Sequence, residues 1–502
     1  MLDDRNALYP ECSSIEEDTK IIEDFLNNPF TEEMSNPEEL EKTLDKFIPI
    51  LEATDRIQTY CTLKKVTNDD IDDENLVRLV DKANYDFNQF ESRLLEINDL
   101  EDWMDKPNLM RYKPYYERIS IRTNTGYSPI IARHLEAKKE IINDLKTTGD
   151  SVSDLASLYL SSISVDESLA KELPFSSSYE AVTYRDRFSE YCLDTSLLNY
   201  PLAIMNMDFE GILSKKVINI PLDEALDIMK KILSSTPLLL EYLPKVIDPD
   251  YIKIDNTQEL GYKSKNFSID TYTFRPLTFV NYDGSFSSMG DLAHEIAHGI
   301  FALCQKDYNN IFSFSKSPLE AETAALIFEM KMFYYLDDYI CDYYRSRDNS
   351  RDIVRNLAAS RLKFIRDNFY YNLALIDFEK KCHTEYINTK DINEKKMQNY
   401  CMGSFYKYLN RRDIELKNVL SNIEIYKPYY AFNYALGFLF AFYMQNPSKT
   451  EWFHDRTITQ FFKKGFYGIP IFKSDVQHEL DDIIQKLENS IERDFNQFLE
   501  KF

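Results

Sequence analysis

Apolar residues recur at intervals of three and four along most of this 502-residue chain, the spacing of helices that bury one face. Between Glu38 and Leu51, Leu40, Leu44, Phe47, Ile48 and Leu51 share such a face. Acidic amphipathic helices are predicted across residues 15–100, and Pro107 and Pro114 interrupt the helical pattern beyond them. Further helices are predicted over Ser128–Lys146, Ser151–Ile163 and Leu222–Leu243, the last with Pro221 and Asp223 suited to a first turn. Glu172–Tyr179 reads as a loop. Near residue 250 the period changes. Tyr251–Ile254, Phe267–Phe274 and Leu277–Tyr282 are rich in β-branched and aromatic residues and are bounded by turn formers, which predicts three short strands. Asp283-Gly284 marks a turn, and a helix is expected to begin after Ser287-Ser288. The chain therefore reads as mainly α with one small β-sheet beside a helix. A soft boundary divides it into an N-terminal helical lobe, 1–200, and a second lobe, 201–502.

Composition sharpens this picture. Only 11 glycines occur, too few for many hairpins and tight turns, so long helices are favoured. The 35 tyrosines and 33 phenylalanines supply core volume and hydroxyls for a wet cleft. A net charge of −25 repels nucleic acid and anionic lipid, so neither is expected as a partner. The seven scattered cysteines form no C-x-x-C, which fits free thiols in a reducing compartment. Met1-Leu2-Asp3-Asp4-Arg5 has neither a basic start nor an apolar run, so no signal peptide is expected. The most apolar stretch, Ala435–Met444, is half the roughly 20 residues of a membrane span. A soluble cytoplasmic protein is expected.

Chemistry concentrates in Asp291-Leu-Ala-His294-Glu295-Ile-Ala-His298-Gly299, an H-E-x-x-H pattern in a chain with only six histidines. Histidines four apart lie one helical turn apart on one face, so both rings can reach a single ion. Leu292, Ile296 and Ile300 cover one flank and Ala293 and Ala297 are small, which predicts a buried helix whose histidines need partners. Zinc is the ion expected, one per chain, held by His294 and His298. Glu295, beside the first ligand, is placed to accept a proton from the water that zinc activates. A catalytic zinc site has three protein ligands and an open position, and the next histidine is distant His383. Glu322, followed by the apolar run Ala324–Phe328, is the third ligand expected, with Glu320 on another face as the alternative. Glu329, two turns beyond Glu322 on the same face, can orient a ligating histidine from behind. His134, His383, His454 and His478 are isolated and read as structural or exposed.

Pro276–Gly284, Leu292–Gly299 and Ala321–Glu329 together resemble the thimet oligopeptidase and oligoendopeptidase F family of zinc metallopeptidases. In that resemblance Glu322 falls on the third zinc ligand and Glu329 on the acid closing the glutamate helix. The likeness runs along most of the chain and is strongest over 250–440. It implies a two-lobed helical body around a deep substrate channel, with zinc at its floor, that admits short unfolded peptides. Asn281 falls in the family's asparagine–aromatic segment and is expected at the substrate, and the strand Leu277–Asn281 is expected to pair with an extended peptide. Two departures stand out. Ala297 replaces the family's glycine, and Ile425–Gly437, which resembles its tyrosine-rich stretch, lacks the family's histidine, with Glu424 near that place. Tyr426, Tyr430 and Tyr434 are expected on one face at i+4 spacing, with Tyr430 and Tyr434 expected at the substrate as donors to the tetrahedral oxyanion.

The activity expected is that of a zinc endopeptidase hydrolysing internal bonds of short peptides. A zinc exopeptidase of the same class, or a non-catalytic peptide-binding homologue, are the alternatives. Substrate preference and oligomeric state have no signature in the sequence.

Overall fold

A computed structural model describes residues 12–30, 34–66, 74–122, 129–147, 151–173, 175–185, 213, 218–248, 252–255, 266–314, 317–343, 350–445, 451–465, 485–487 and 489–492. The described chain is mainly helical, as its periodicity predicts. The strongly periodic N-terminal segment is the helix α1 (Pro37–Val66). A helix starting at Pro129 covers the expected Ser128–Lys146 segment, and α2 (Val152–Glu172) runs well past the expected Ile163. The expected helix Leu222–Leu243 is two helices, α3 (Leu222–Leu233) and α4 (Pro237–Val246). Pro237 lacks the N–H that would continue the first ladder, and it takes the N1 position of the second. The expected lobe boundary at residue 200 lies outside the described residues.

The three strands are β1 (Ile252–Asp255), β2 (Phe267–Ile269) and β3 (Leu277–Asn281). Their order is β1-β3-β2, with β3 parallel to β1 and antiparallel to β2. The second strand is shorter than its β-rich sequence suggests. Asp55 of α1 ends it by accepting from Tyr272 N (3.1 Å), Thr273 N (2.9 Å), Thr271 Oγ1 (2.6 Å) and Thr273 Oγ1 (2.8 Å). A buried carboxylate collecting four donors outweighs local strand propensity. The same contacts tie the N-terminal helices to the sheet. Ile22, Ala53 and Ile57 pack in one apolar cluster with Ile269 and Leu277.

Asp283-Gly284 forms the expected turn. Gly284 has φ +81, and a Cβ there would sit 2.3 Å from Asn219 Oδ1, so only glycine fits. The helix α5 (Phe286–Tyr308) then begins, slightly earlier than the sequence suggests, because the Ser285 hydroxyl accepts from Ser288 N at 3.1 Å. Against α5 packs α6 (Pro318–Tyr343), and the apolar stretch near the C-terminal third is the buried helix α8 (Phe432–Met444), preceded by α7 (Tyr371–Thr389). Gly437 lets α8 approach α6 closely, since a Cβ there would lie 3.3 Å from Thr323 N, next to Glu322. No helix among the described residues is long and apolar enough to cross a membrane.

Candidate metal centre and peptide cavity

The buried face of α5 presents His294 and His298, whose rings lie 4.9 Å apart at 78°. From α6, Glu322 and Glu329 reach the same place because seven residues are two helical turns. Ligand atoms of His294, His298 and Glu322 all lie within 4.8 Å of one another. Glu322 Oε2 is 3.4 Å from His294 Nε2, yet it makes no well-aligned hydrogen bond and is buried, as is the unpartnered Nδ1 of His298. Buried polar atoms without partners cost free energy unless something binds them. On the far side of the ring, His294 Nδ1 meets Glu329 Oε2 at 3.2 Å, the arrangement that orients a ligating histidine. Glu320, the alternative ligand, is also buried, but its carboxylate points at Gly465, where a Cβ would lie 2.1 Å from its Oε1.

The electrostatics favour a cation. Burial alone lowers the His294 pKa, but the carboxylates of Glu322 and Glu329, one beside each ring nitrogen, outweigh it and hold the ring well above its usual value. Burial, then the neighbouring His294, push His298 down to about 4, so this ring stays neutral, the form that binds metals. Burial raises Glu295 to about 7, opposed chiefly by His294 and by a hydrogen bond from Ser268. Asp270, open to the cavity but walled by protein, is pushed up to about 7 by burial and then by Glu295 and Glu322. Glu295, Glu322, Glu329 and Asp270 thus crowd around two histidines, and positive charge is what relieves them.

His294, Glu295, His298, Glu322 and Asp270 lie on a cavity of about 450 Å³ lined by residues from distant parts of the chain. Asp55, Gln58, Thr59 and Thr62 come from α1, Asn266–Asp270 from β2 and its flanks, and Tyr430 and Tyr434 from the tyrosine-rich segment. Sequence reasoning missed the α1 and β2 contributions. Nothing local to them carries a chemical motif, and their proximity to α5 follows from tertiary packing. Tyr430 and Tyr434 form a T-shaped pair with centroids 6.1 Å apart. Burial, reinforced by Glu322 and Glu424, raises both phenols well above their usual value, so both keep their protons.

Three expectations are corrected. Tyr426 does not share the face of Tyr430 and Tyr434: Pro428 and the left-handed backbone of Tyr429 (φ 54) break the helical path. Tyr426 is instead buried, and its hydroxyl donates to Leu420 O at 3.0 Å. Asn281 is exposed at the end of β3, outside the cavity lining, and its N–H is taken by Asn266 Oδ1 at 2.7 Å. Nor can β3 pair with a substrate, because β1 and β2 occupy both its edges; among the described residues the strand that meets the cavity is β2.

Among the other histidines, His134 lies 3.9 Å from Glu172. His383 on α7 is buried against Glu167 (2.7 Å), Ser178 (3.0 Å) and the Tyr429 ring, a structural cluster away from the cavity. The side chain of His454 and all of His478 lie outside the described residues.

No protein-family model matches the sequence. The chain is 21% identical over 477 residues to the oligoendopeptidase F homolog of Borreliella burgdorferi, covering 79% of each. PZ peptidase A, solved with an inhibitor, superposes with a TM-score of 0.67 at 12% identity, over 97% of this chain and 98% of that one. Oligoendopeptidase F from Enterococcus faecium superposes with a TM-score of 0.62 at 14% identity, over 97% of each chain. The superpositions speak for a shared fold, and the sequence relative aligns over most of both lengths. The H-E-x-x-H helix and the glutamate helix packed on it fit this likeness: the chain has the fold of these peptidases and resembles oligoendopeptidase F along most of its length.

Proposed function

We propose that this protein is a zinc-dependent endopeptidase acting on short peptides. The observation that carries the reading is the convergence of His294, His298 and Glu322 within 4.8 Å on the wall of a cavity that also holds Glu295. Two imidazoles and one carboxylate, with His298 Nδ1 and Glu322 Oε2 buried and without a hydrogen-bond partner, are a donor set that suits catalytic zinc. When bound there, zinc supplies Lewis-acid polarisation of a carbonyl and a lowered pKa for water.

The chain's own groups account for the rest. Glu295 takes the proton of the attacking water and later delivers it to the leaving amine. Tyr434 and Tyr430, protonated at neutral pH, donate to the oxyanion that develops on the scissile carbonyl, the part a histidine would otherwise share. The β2 backbone at the cavity offers an edge for an extended peptide. A cavity of about 450 Å³ holds a short stretch of chain and excludes folded proteins. Among the described lining residues no lysine or arginine is present to grip a terminal carboxylate, which favours internal cleavage over removal of C-terminal residues.

The test is a mixed pool of end-blocked peptides incubated with purified protein, with and without a zinc chelator, and read by mass spectrometry. Internal cuts that the chelator abolishes are expected. Zinc-loaded protein that cuts nothing would overturn the reading in favour of a peptide-binding homologue.

A further inference from the structure

Glu295 must hold one carboxylate oxygen toward the reacting water, and the helix backbone alone does not fix its rotamer. In this chain β2 supplies what does. Ser268 Oγ lies 2.8 Å from Glu295 Oε2, 3.2 Å from Glu295 O and 3.2 Å from Thr278 Oγ1. Ser268 and Thr278 are directly paired across the antiparallel strands, so both hydroxyls project from the same face of the sheet, the face that meets α5. The hydroxyl has one proton and three neighbours. A carboxylate oxygen at the shortest distance is the strongest acceptor of the three. Thr278, almost fully buried, then donates to Ser268, and the two hydroxyls form a short relay that ends on the carboxylate.

We propose that Ser268, supported by Thr278, is a positioning residue that orients Glu295 for proton transfer. The inference rests on the reading of Glu295 as general base. By engaging Oε2, Ser268 leaves the other oxygen free for water and keeps the carboxylate from swinging toward His294. The strand register sets this geometry: a slip of one residue would turn both hydroxyls to the opposite face. Phe267 and Ile269, whose side chains point the other way, pack in the cluster that joins the sheet to α1, which locks the register.

The test compares Ser268→Ala, Ser268→Thr and Glu295→Gln with the wild type in zinc content, thermal midpoint, kcat and KM. Ser268→Ala should lower kcat about 10- to 100-fold, the range seen when a partner behind an active-site group is removed, with KM, zinc content and thermal midpoint near wild type. Ser268→Thr, which keeps the hydroxyl, should restore most of kcat. A crystal structure of Ser268→Ala should show the Glu295 carboxylate rotated or spread over two rotamers. A kcat within two-fold of wild type, or an unmoved Glu295, overturns the inference. If Glu295→Gln is inactive at the same time, the general-base reading stands and only the positioning role fails. If Glu295→Gln turns over normally, both fall together.

Discussion

Glu329 offers a prediction whose size comes from the geometry. Its Oε2 lies 3.2 Å from His294 Nδ1, and the residue is only 8% exposed. Replacing it with alanine removes a charge-assisted hydrogen bond behind a metal ligand, worth about 1.5–3 kcal/mol. Metal affinity should therefore fall about 10- to 150-fold. The effect is legible in thermal stability. With free zinc at 100 times the wild-type Kd, binding stabilises the folded chain by about 2.7 kcal/mol. A variant whose affinity is about 30-fold weaker gains only about 0.9 kcal/mol at that concentration. Glu329→Gln, which keeps an acceptor without the charge, should fall between. The assay is chelator competition for Kd and calorimetry with and without zinc. Unchanged zinc affinity in Glu329→Ala, or a loss of stability equal with and without zinc, would refute the argument and make the His294 contact merely structural.

Separate parts of the molecule give further expectations. Tyr434→Phe should lower kcat on a blocked peptide by about 100- to 1,000-fold with little change in zinc content, the range for loss of one oxyanion donor; an unaffected kcat would remove Tyr434 from the chemistry. Asp55→Ala strands four donors at the junction of α1 and the sheet and should cost about 3–5 kcal/mol in urea unfolding, against under about 1 kcal/mol if the junction is incidental. Glu379 is fully buried and held well above the carboxylate range by burial, while its Oε1 accepts from Tyr429 N at 3.1 Å. A raised folded pKa gives stability that is present below the unfolded pKa and is lost as pH climbs above it. Glu379→Gln cannot lose a proton, so its thermal midpoint should fall less than that of wild type between pH 5 and pH 8, and parallel curves would contradict the assignment.

What was legible in the sequence was local. The helices, the three β-rich runs and the Asp283-Gly284 turn come from period and turn chemistry. His294, Glu295 and His298 are readable because one helical turn separates the two rings. Glu322 and Glu329 were readable as two acids on one apolar face. Strand order was not, because pairing is decided by partners far along the chain: β3 is central, and β2, whose sequence carries no motif, faces the cavity. For the same reason Ser268 was invisible. Alternation says which face it takes, but not that Glu295 lies there. Tyr426 misled because i+4 spacing predicts a shared face only while the helix continues, and Tyr429 adopts a left-handed backbone.

In the proposed function Glu295 performs the proton transfers beside a metal held by His294, His298 and Glu322. The most direct measurement is turnover of an end-blocked peptide by Glu295→Gln, with zinc quantified in the same preparation. Glu295→Gln should hold about one zinc per chain and show no detectable internal cleavage, against rapid chelator-sensitive cleavage by wild type. Zinc-loaded Glu295→Gln that cleaves at the wild-type rate would contradict it.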